Sequence, residues 1–135
     1  DEAEIKSNAT NYIAIVTRVP KHVITFSADG GGSALTAVGF SDFPTATFSC
    51  TIYRTDVSAD QSGSITIDVW KRAGAIPAAA QKISASAPIT LSTAQLNQNG
   101  SIGGWTTAVS PGDVFGATIA TTATITKVTA QIWCK

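Results

Sequence analysis

Apolar and polar residues alternate along several short segments of this chain, with the period of two expected of half-buried β-strands. The clearest segment covers residues 63–72, in which Ile65, Ile67 and Val69 occupy every second position. The residues just before it, Asp60 to Gly63, form a polar sequence typical of a turn. We therefore predict a turn at this point, followed by a strand with one face in the core.

Similar patterns predict further strands, separated by signals for turns that contain Gly, Pro or Asn. The predicted strands cover residues 11–19, 21–27, 45–57, 63–72, 82–91, 101–109, 114–120 and 124–133. Residues 73–81 are expected to form a long connection, residues 92–95 a single helical turn, and residues 97–100 and 121–123 short connections. These features predict an all-β fold, namely an antiparallel β-sandwich with about eight strands in a jelly-roll-like arrangement.

The alternation also predicts which side chains share a face of each strand. In the segment 45–57 we expect one face to carry Phe48, Cys50 and Ile52. In the last strand one face is expected to carry Val128, Ala130, Ile132 and Cys134, with Lys127, Thr129, Gln131 and Trp133 on the other.

Length and charge limit the classes of protein to consider. A chain of 135 residues suits one domain. We expect residues 1–20 to form an N-terminal arm or docking strand and residues 21–135 the β-sandwich domain. Only 13% of the residues are charged and the formal net charge is zero, so we expect no nucleic-acid partner. No apolar segment approaches the ~18 residues that span a membrane, so we expect no membrane partner. So few charges favour a subunit that docks on other subunits.

Residues suited to catalysis or metal binding are scarce. His22 is the one histidine and has no serine motif around it. Asp29, Asp60 and Asp113 lie near turns, but no calcium-loop pattern surrounds them. We therefore expect no enzyme activity, no catalytic residue, no metal and no cofactor.

Aromatic residues offer another kind of site, because exposed rings stack on sugars and anchor protein interfaces. Trp70, Trp105 and Tyr53 are the candidates for contact with a glycan or a protein partner. The favoured interpretation is that these rings lie at the edge of the core or contact other subunits, and contact with a sugar is the alternative.

Five sequence blocks, taken in order, resemble a small all-β module of virion proteins of tailed bacteriophages. The blocks are ITFSADGGGSAL (24–35), FPTATFSCTI (43–52), ADQSGSITIDVWK (59–71), SASAPITLSTAQ (84–95) and GWTTAVSPGDVFG (104–116). The resemblance implies a non-enzymatic structural protein on the virion surface, as a capsid decoration, head fibre or tail fibre component assembled in the bacterial cytoplasm. Its partners would be other virion proteins and copies of itself, with a trimer as a common form. The alternative is an adhesin module that binds a host receptor or a host-surface glycan.

The segment through Pro20 has no counterpart in this resemblance, so it is the candidate docking segment, with Tyr12, Ile13 and Ile15 as its apolar residues. Cys50 and Cys134 both lie in predicted strands. A disulfide between them would close a long loop and stabilise the fold. The favoured interpretation is two buried free thiols, because phage proteins assemble in a reducing cytoplasm.

Overall fold

A computed structural model of the protein describes residues 3–7, 13–17 and 21–135, with side chains from residue 21 onward. The strands are β1 (Ala3–Ser7), β2 (Ile13–Thr17), β3 (His22–Asp29), β4 (Cys50–Ala73), β5 (Ile89–Asn99), β6 (Ala108–Val109), β7 (Asp113–Ala123) and β8 (Lys127–Cys134). A short 3₁₀ helix covers Ala79–Gln81, and these residues contain no α-helix. Across the same residues, no helix has the length and apolar character needed to span a membrane.

Every pair of neighbouring strands is antiparallel, which confirms the predicted all-β antiparallel class. Strands β1 and β2 pair with each other in a two-stranded sheet. The other six form one sheet in which β3, β8, β4 and β5 are neighbours in that order, and β6 and β7 also pair with β4. Strand β4 is therefore the element on which the sheet is built.

Strand β4 is 24 residues long and spans a region where the sequence predicts two strands joined by a turn. The prediction of a turn at Asp60–Gly63 is wrong: these residues continue the strand through an irregular bend. The half before the bend pairs with β8, the half after it pairs with β7, and β5 runs beside both. The polar residues that suggested a turn instead bond to the connection between β7 and β8, as described below.

Other boundaries differ from prediction for local reasons. Residues 92–95 belong to β5 instead of a helical turn, with Thr93 at a φ of 48° where the register to β4 shifts. Strand β5 begins only at Ile89, after Pro88, which has no amide hydrogen to donate. Residues 97–99 and 121–123, predicted as connections, lie in β5 and β7.

The core receives side chains from both halves of β4 and from the strands beside it. The buried apolar residues of the strands include Ile24, Phe26, Ile52, Val57, Ile65, Ile67, Val69, Ile89, Leu91, Phe115, Ala117, Ile119, Val128, Ala130, Ile132 and Cys134. The predicted inner faces of residues 65–69 and 128–134 are confirmed.

Near the start of β4, a β-bulge changes which residues point toward the core. Ile52 lies opposite Cys134 and Arg54 lies opposite Trp133, so one extra residue of β4 stands between these pairs. Ile52 is buried before the bulge and Val57 after it. The regular alternation that the sequence predicts from residue 45 to residue 57 is therefore interrupted at Tyr53.

The structure joins Cys50 to Cys134 in a disulfide, with their Cα atoms 5.6 Å apart and a sequence separation of 84. It thus departs from the favoured interpretation of two free thiols. The backbones next to the cysteines are already paired, because Thr51 and Lys135 exchange two amide–carbonyl hydrogen bonds of 2.8 and 3.1 Å. This pairing brings the two sulfur atoms together at the end of the sheet.

Candidate interaction surface

The polar residues of the blocks behind the phage-module resemblance bond to other parts of the fold, inside and outside those blocks. At the bend of β4 the Asp60 carboxylate accepts hydrogen bonds from the amides of Thr126 (3.2 Å) and Lys127 (2.9 Å) and from the Thr126 hydroxyl. These bonds, the one from the hydroxyl above all, hold the pKa of Asp60 below its usual range. Gln61 donates to the Thr124 carbonyl oxygen. The ADQSG block therefore fastens the bend of β4 to the β7–β8 connection.

The acidic residues of the other blocks are engaged in the same way. Asp68 lies 2.9 Å from the Lys82 ammonium and 3.3 Å from the Ser84 hydroxyl. Asp113 lies 3.0 Å from the Lys71 ammonium and accepts the Ser110 amide hydrogen at 2.9 Å. Burial raises the pKa of Asp113, but the bonds from Ser110 and Lys71 outweigh burial and hold this pKa below its usual value.

Trp105 packs in the core and does not form an exposed surface for a glycan or a protein partner. Its side chain is buried, and its indole Nε1 donates to the Ala87 carbonyl oxygen at 2.7 Å. A buried indole has no free face to offer to a ligand, so Trp105 is removed from the candidate contact residues. The GWTT and SASAP blocks are joined by this hydrogen bond.

The candidate calcium ligands Asp29, Asp60 and Asp113 are each already engaged in other contacts. Asp29 accepts the Gly31 amide hydrogen at 2.8 Å and faces the Lys127 ammonium at 3.9 Å. Within the part of the chain that the structure describes, no three His, Cys, Asp or Glu residues come together as a group that could hold a metal ion. The motif residues therefore build the scaffold, and surfaces for partners have to be sought on other side chains.

One such surface is the outer face of strands β3, β8, β4 and β5, which we call the outer face. Apart from Asp56, which is 8% exposed, its side chains alternate with the buried ones, and the register places them in three rows. The rows are Val23, Trp133 and Arg54; then Thr25, Gln131, Asp56 and Gln98; then Ser27, Thr129, Ser58 and Leu96. The face is thus mostly hydroxyl and amide, with one indole and one leucine that is 57% exposed.

Three residues at one end of the outer face form a connected group. The Arg54 guanidinium bonds both carboxylate oxygens of Asp56, with the Nε contact at 2.7 Å. The Trp133 indole donates to the same carboxylate at 3.2 Å, and the Arg54 guanidinium carbon lies 6.0 Å from the centre of the Trp133 ring. The bond from Arg54 is the main reason that the pKa of Asp56 is lowered and that of Arg54 is raised. The group stays charged and fixed at neutral pH.

The same end of the sheet carries further rings. The Lys135 ammonium lies 4.7 Å from the centre of the Tyr53 ring, a cation–π contact. The His22 ring stacks on Phe48 with ring centres 3.8 Å apart. Because β3 begins at His22, the N-terminal segment joins the domain at this end. Tyr53, predicted as a contact residue, therefore lies near Trp133 and the entry point of the arm.

Trp70 lies elsewhere, on the second half of β4, and is partly exposed. It stands opposite Gly116 of β7. A β-carbon on Gly116 would lie 3.0 Å from Pro77 and 3.2 Å from Phe43. The neighbouring Ile76 is 58% exposed. Trp70 thus lies beside a second, apolar part of the surface.

The structure does not bring the predicted contact residues together. Trp70, Trp105 and Tyr53 occupy three different places. Of the predicted docking residues, Tyr12 lies outside the described residues, whereas Ile13 and Ile15 lie in β2, opposite Ser7 and Ile5 of β1.

The sequence analysis missed the group of Arg54, Asp56 and Trp133. The alternation of residues 127–133 places Trp133 on the polar face of β8, which is a usable signal. Arg54 and Asp56 carry no such signal, because the bulge at Tyr53 decides which face they join.

Comparisons with known proteins give limited information. No protein-family model matches the chain, and no curated protein matches it. A solved structure of the cyanophage Pam1 capsid asymmetric unit is similar, with 16% identity, a TM-score of 0.31 and coverage of 96% of this chain and 96% of that chain. A structure of infectious bursal disease virus, Gx strain, shows 14% identity and a TM-score of 0.22 over 98% of this chain and 42% of that chain. Likeness of this degree decides neither fold nor function.

Proposed function

We propose that this chain is a non-enzymatic structural protein on the surface of a tailed-phage particle, as a capsid decoration, head fibre or tail fibre component. The observation that carries the proposal is the ordered set of five sequence blocks. Its support in the structure is that Asp60, Asp68, Trp105 and Asp113, all in these blocks, bond across the fold to other elements. Because these side chains hold the fold together, they suit a structural protein that acts by binding other virion proteins.

We further propose that the sheet folds into two layers around the core, as a sandwich would. Strands β8 and β7 pair with successive halves of β4 on either side of its bend. Val57 before the bend and Ile65 after it belong to the same core cluster. A bend of this kind lets one long strand contribute to two packed layers.

Particle composition tests the proposal. We expect this chain in gradient-purified particles of the phage or prophage that encodes it, at a fixed ratio to the major capsid or tail protein, by quantitative mass spectrometry. A chain found only in the soluble lysate and absent from particles would overturn the proposal. Particles made by a strain lacking the gene, incubated with purified chain, provide the matched control for specific attachment.

We also propose that the N-terminal segment makes the attachment. It lies outside the resemblance and joins the domain at the end that carries Tyr53 and Trp133. Deleting residues 1–19 should leave a folded domain, judged by its thermal transition, that no longer binds particles. A deletion variant that still decorates particles would remove this assignment.

A second candidate function is glycan binding by the outer face. The observation that favours it is Trp133 beside the planar side chains of Arg54 and Gln131, because indole rings and planar polar groups are what sugar rings stack on and bond to. In a glycan array followed by calorimetry, Trp133→Ala should weaken binding at least about tenfold. Trp70→Ala is the matched control and should leave it unchanged. An array without any hit would exclude this function and leave the structural role intact.

A further inference from the structure

Strand β3 forms one edge of the sheet and leaves a row of backbone groups free. Gly30 donates to the Thr126 carbonyl oxygen at 2.7 Å, and the register runs in steps of two from this pair through Ala28 and Val128 to His22 and Cys134. The even-numbered residues of β3 therefore bond to β8. The amide and carbonyl groups of Val23, Thr25 and Ser27 point away from β8, and within residues 21–135 none of them has a backbone partner.

Within residues 21–135, this edge lacks the devices that usually prevent strands of different molecules from pairing. Such devices are prolines, charged side chains, bulges and covering segments. Residues 22–28 contain neither a proline nor an Asp, Glu, Lys or Arg, their register to β8 is regular, and Val23, Thr25 and Ser27 are exposed. The opposite edge, β5, is interrupted at Thr93. There the Thr90 carbonyl oxygen already accepts a hydrogen bond from the Asn97 side chain.

We propose that two copies of this chain associate by pairing their β3 strands, antiparallel and centred on Thr25. This register makes the free groups of Val23, Thr25 and Ser27 meet those of Ser27, Thr25 and Val23 of the second copy. About six interstrand hydrogen bonds result, two for each of three residue pairs. Thr25 faces Thr25 of the second copy, a favourable cross-strand pair.

Charge complementarity at the two ends selects this register. In this register, Lys21 of one copy lies opposite Asp29 of the other at each end of the paired strands. Asp29 has room for this contact, since its side chain is 61% exposed and lies 3.9 Å from Lys127. Residues 22–28, between these ends, contain no Asp, Glu, Lys or Arg, so no like charges of these residue types meet.

Pairing through β3 joins the outer faces of the two copies into one surface. The two-fold axis passes through the sheet, so both outer faces lie on the same side of one continuous sheet and present two copies of Trp133. The pairing is two-fold and gives a dimer, whereas three-fold assembly would need a different contact. The inference rests on the edge of β3 and is independent of the proposed role in a virion.

A proline at Thr25 tests the pairing directly. The Thr25 amide points away from β8, so Thr25→Pro in both copies removes the two hydrogen bonds that the Thr25 amides donate across the interface, while the β3–β8 bonds stay intact. We expect the full chain to sediment as a dimer, Thr25→Pro to dimerise at least about tenfold more weakly, and the β-branched control Thr25→Val to match the original chain. A monomer at every concentration, a trimer, or a dimer unaffected by proline would overturn the proposal.

A second variant avoids any change within the strand. Lys21→Glu precedes β3 and places like charges opposite each other at both ends, so it should weaken the dimer, and added salt should reduce the difference. Combining Lys21→Glu with Asp29→Lys should restore much of the affinity. Hydrogen exchange followed by NMR should show the amides of Val23, Thr25 and Ser27 protected at high protein concentration and exposed on dilution. Exchange at these amides that is fast and independent of concentration would contradict the pairing.

Discussion

Gly63 and Ala123 approach so closely that a β-carbon on Gly63 would lie 2.6 Å from the Ala123 carbonyl oxygen. The same carbon would lie 2.7 Å from Cγ1 of the buried Ile125. Because two of the nearest groups are backbone and core, neither can move aside without disturbing the connection between β7 and β8. The bend of β4 therefore depends on glycine at this position, for its lack of a side chain.

Gly63→Ala should accordingly destabilise the fold by about 2 kcal/mol or more, the cost of forcing a methyl group into a packed site. Chemical denaturation measures this as a lower midpoint with an unchanged slope. Gly103→Ala is the control, since a β-carbon there has nothing within 4 Å, and its midpoint should stay within error of the original. Equal stability of both variants would mean that the bend is not packed as described.

The disulfide predicts a response to reductant. Chain-entropy arguments for a loop closed by residues 84 apart give a stabilisation of about 4–5 kcal/mol, which engineered and strained cases often fail to reach. We expect a reducing agent to lower the free energy of unfolding by about 2–5 kcal/mol. The variant with Cys50→Ala and Cys134→Ala should be insensitive to the reducing agent. Two titratable thiols in the protein purified without reductant would contradict the bond.

The lowered pKa values of Asp56, Asp60 and Asp113 predict acid sensitivity. A folded-state pKa below the unfolded value of about 3.9 means that the folded chain binds fewer protons. The stability from these carboxylates is therefore present above about pH 4 and is lost as the pH falls through the lower folded values.

Asp113→Asn isolates one of these contributions. The variant loses the contact with Lys71, so it should be less stable than the original near pH 6. The two unfolding free energies should converge as the pH falls through the folded-state pKa of Asp113, which lies below its usual value. Asp42→Asn, at an exposed position, should follow the original throughout. A difference between Asp113→Asn and the original that stays constant with pH would show that the charge of Asp113 is not involved.

The all-β class and the inner faces of residues 65–69 and 128–134 could be predicted, because alternation reports burial directly when a strand is regular. The long strand β4 could not. Asp60 to Gly63 carries the residues of a turn, and the fact that they bond to Thr124, Thr126 and Lys127 depends on contacts about 60 residues away in sequence.

The candidate surface was predicted less well than the fold, for a physical reason. When a bulge interrupts a strand, the sequence does not show on which side of the strand an aromatic residue lies. Trp105 lies outside any regular strand, so alternation does not apply to it. Its burial follows from the carbonyl group of Ala87, which gives the indole nitrogen a partner in the interior. Trp70 and Trp133, both in regular strands, are the tryptophans whose side could be predicted.

The different surroundings of the three tryptophans give the last prediction. A chain with Trp70→Phe and Trp133→Phe retains Trp105 alone, and its fluorescence should be blue-shifted and resistant to acrylamide, since Trp105 is 8% exposed. A chain that retains Trp133 alone should be quenched more readily. Trp105→Phe should also cost about 1–3 kcal/mol, because it leaves the Ala87 carbonyl oxygen without its partner and opens space in the core. Trp70→Phe, at the surface, should cost less than about 1 kcal/mol. Free access of acrylamide to Trp105 would show that the GWTT block is not packed into the core, and would weaken the case that the shared blocks form a scaffold.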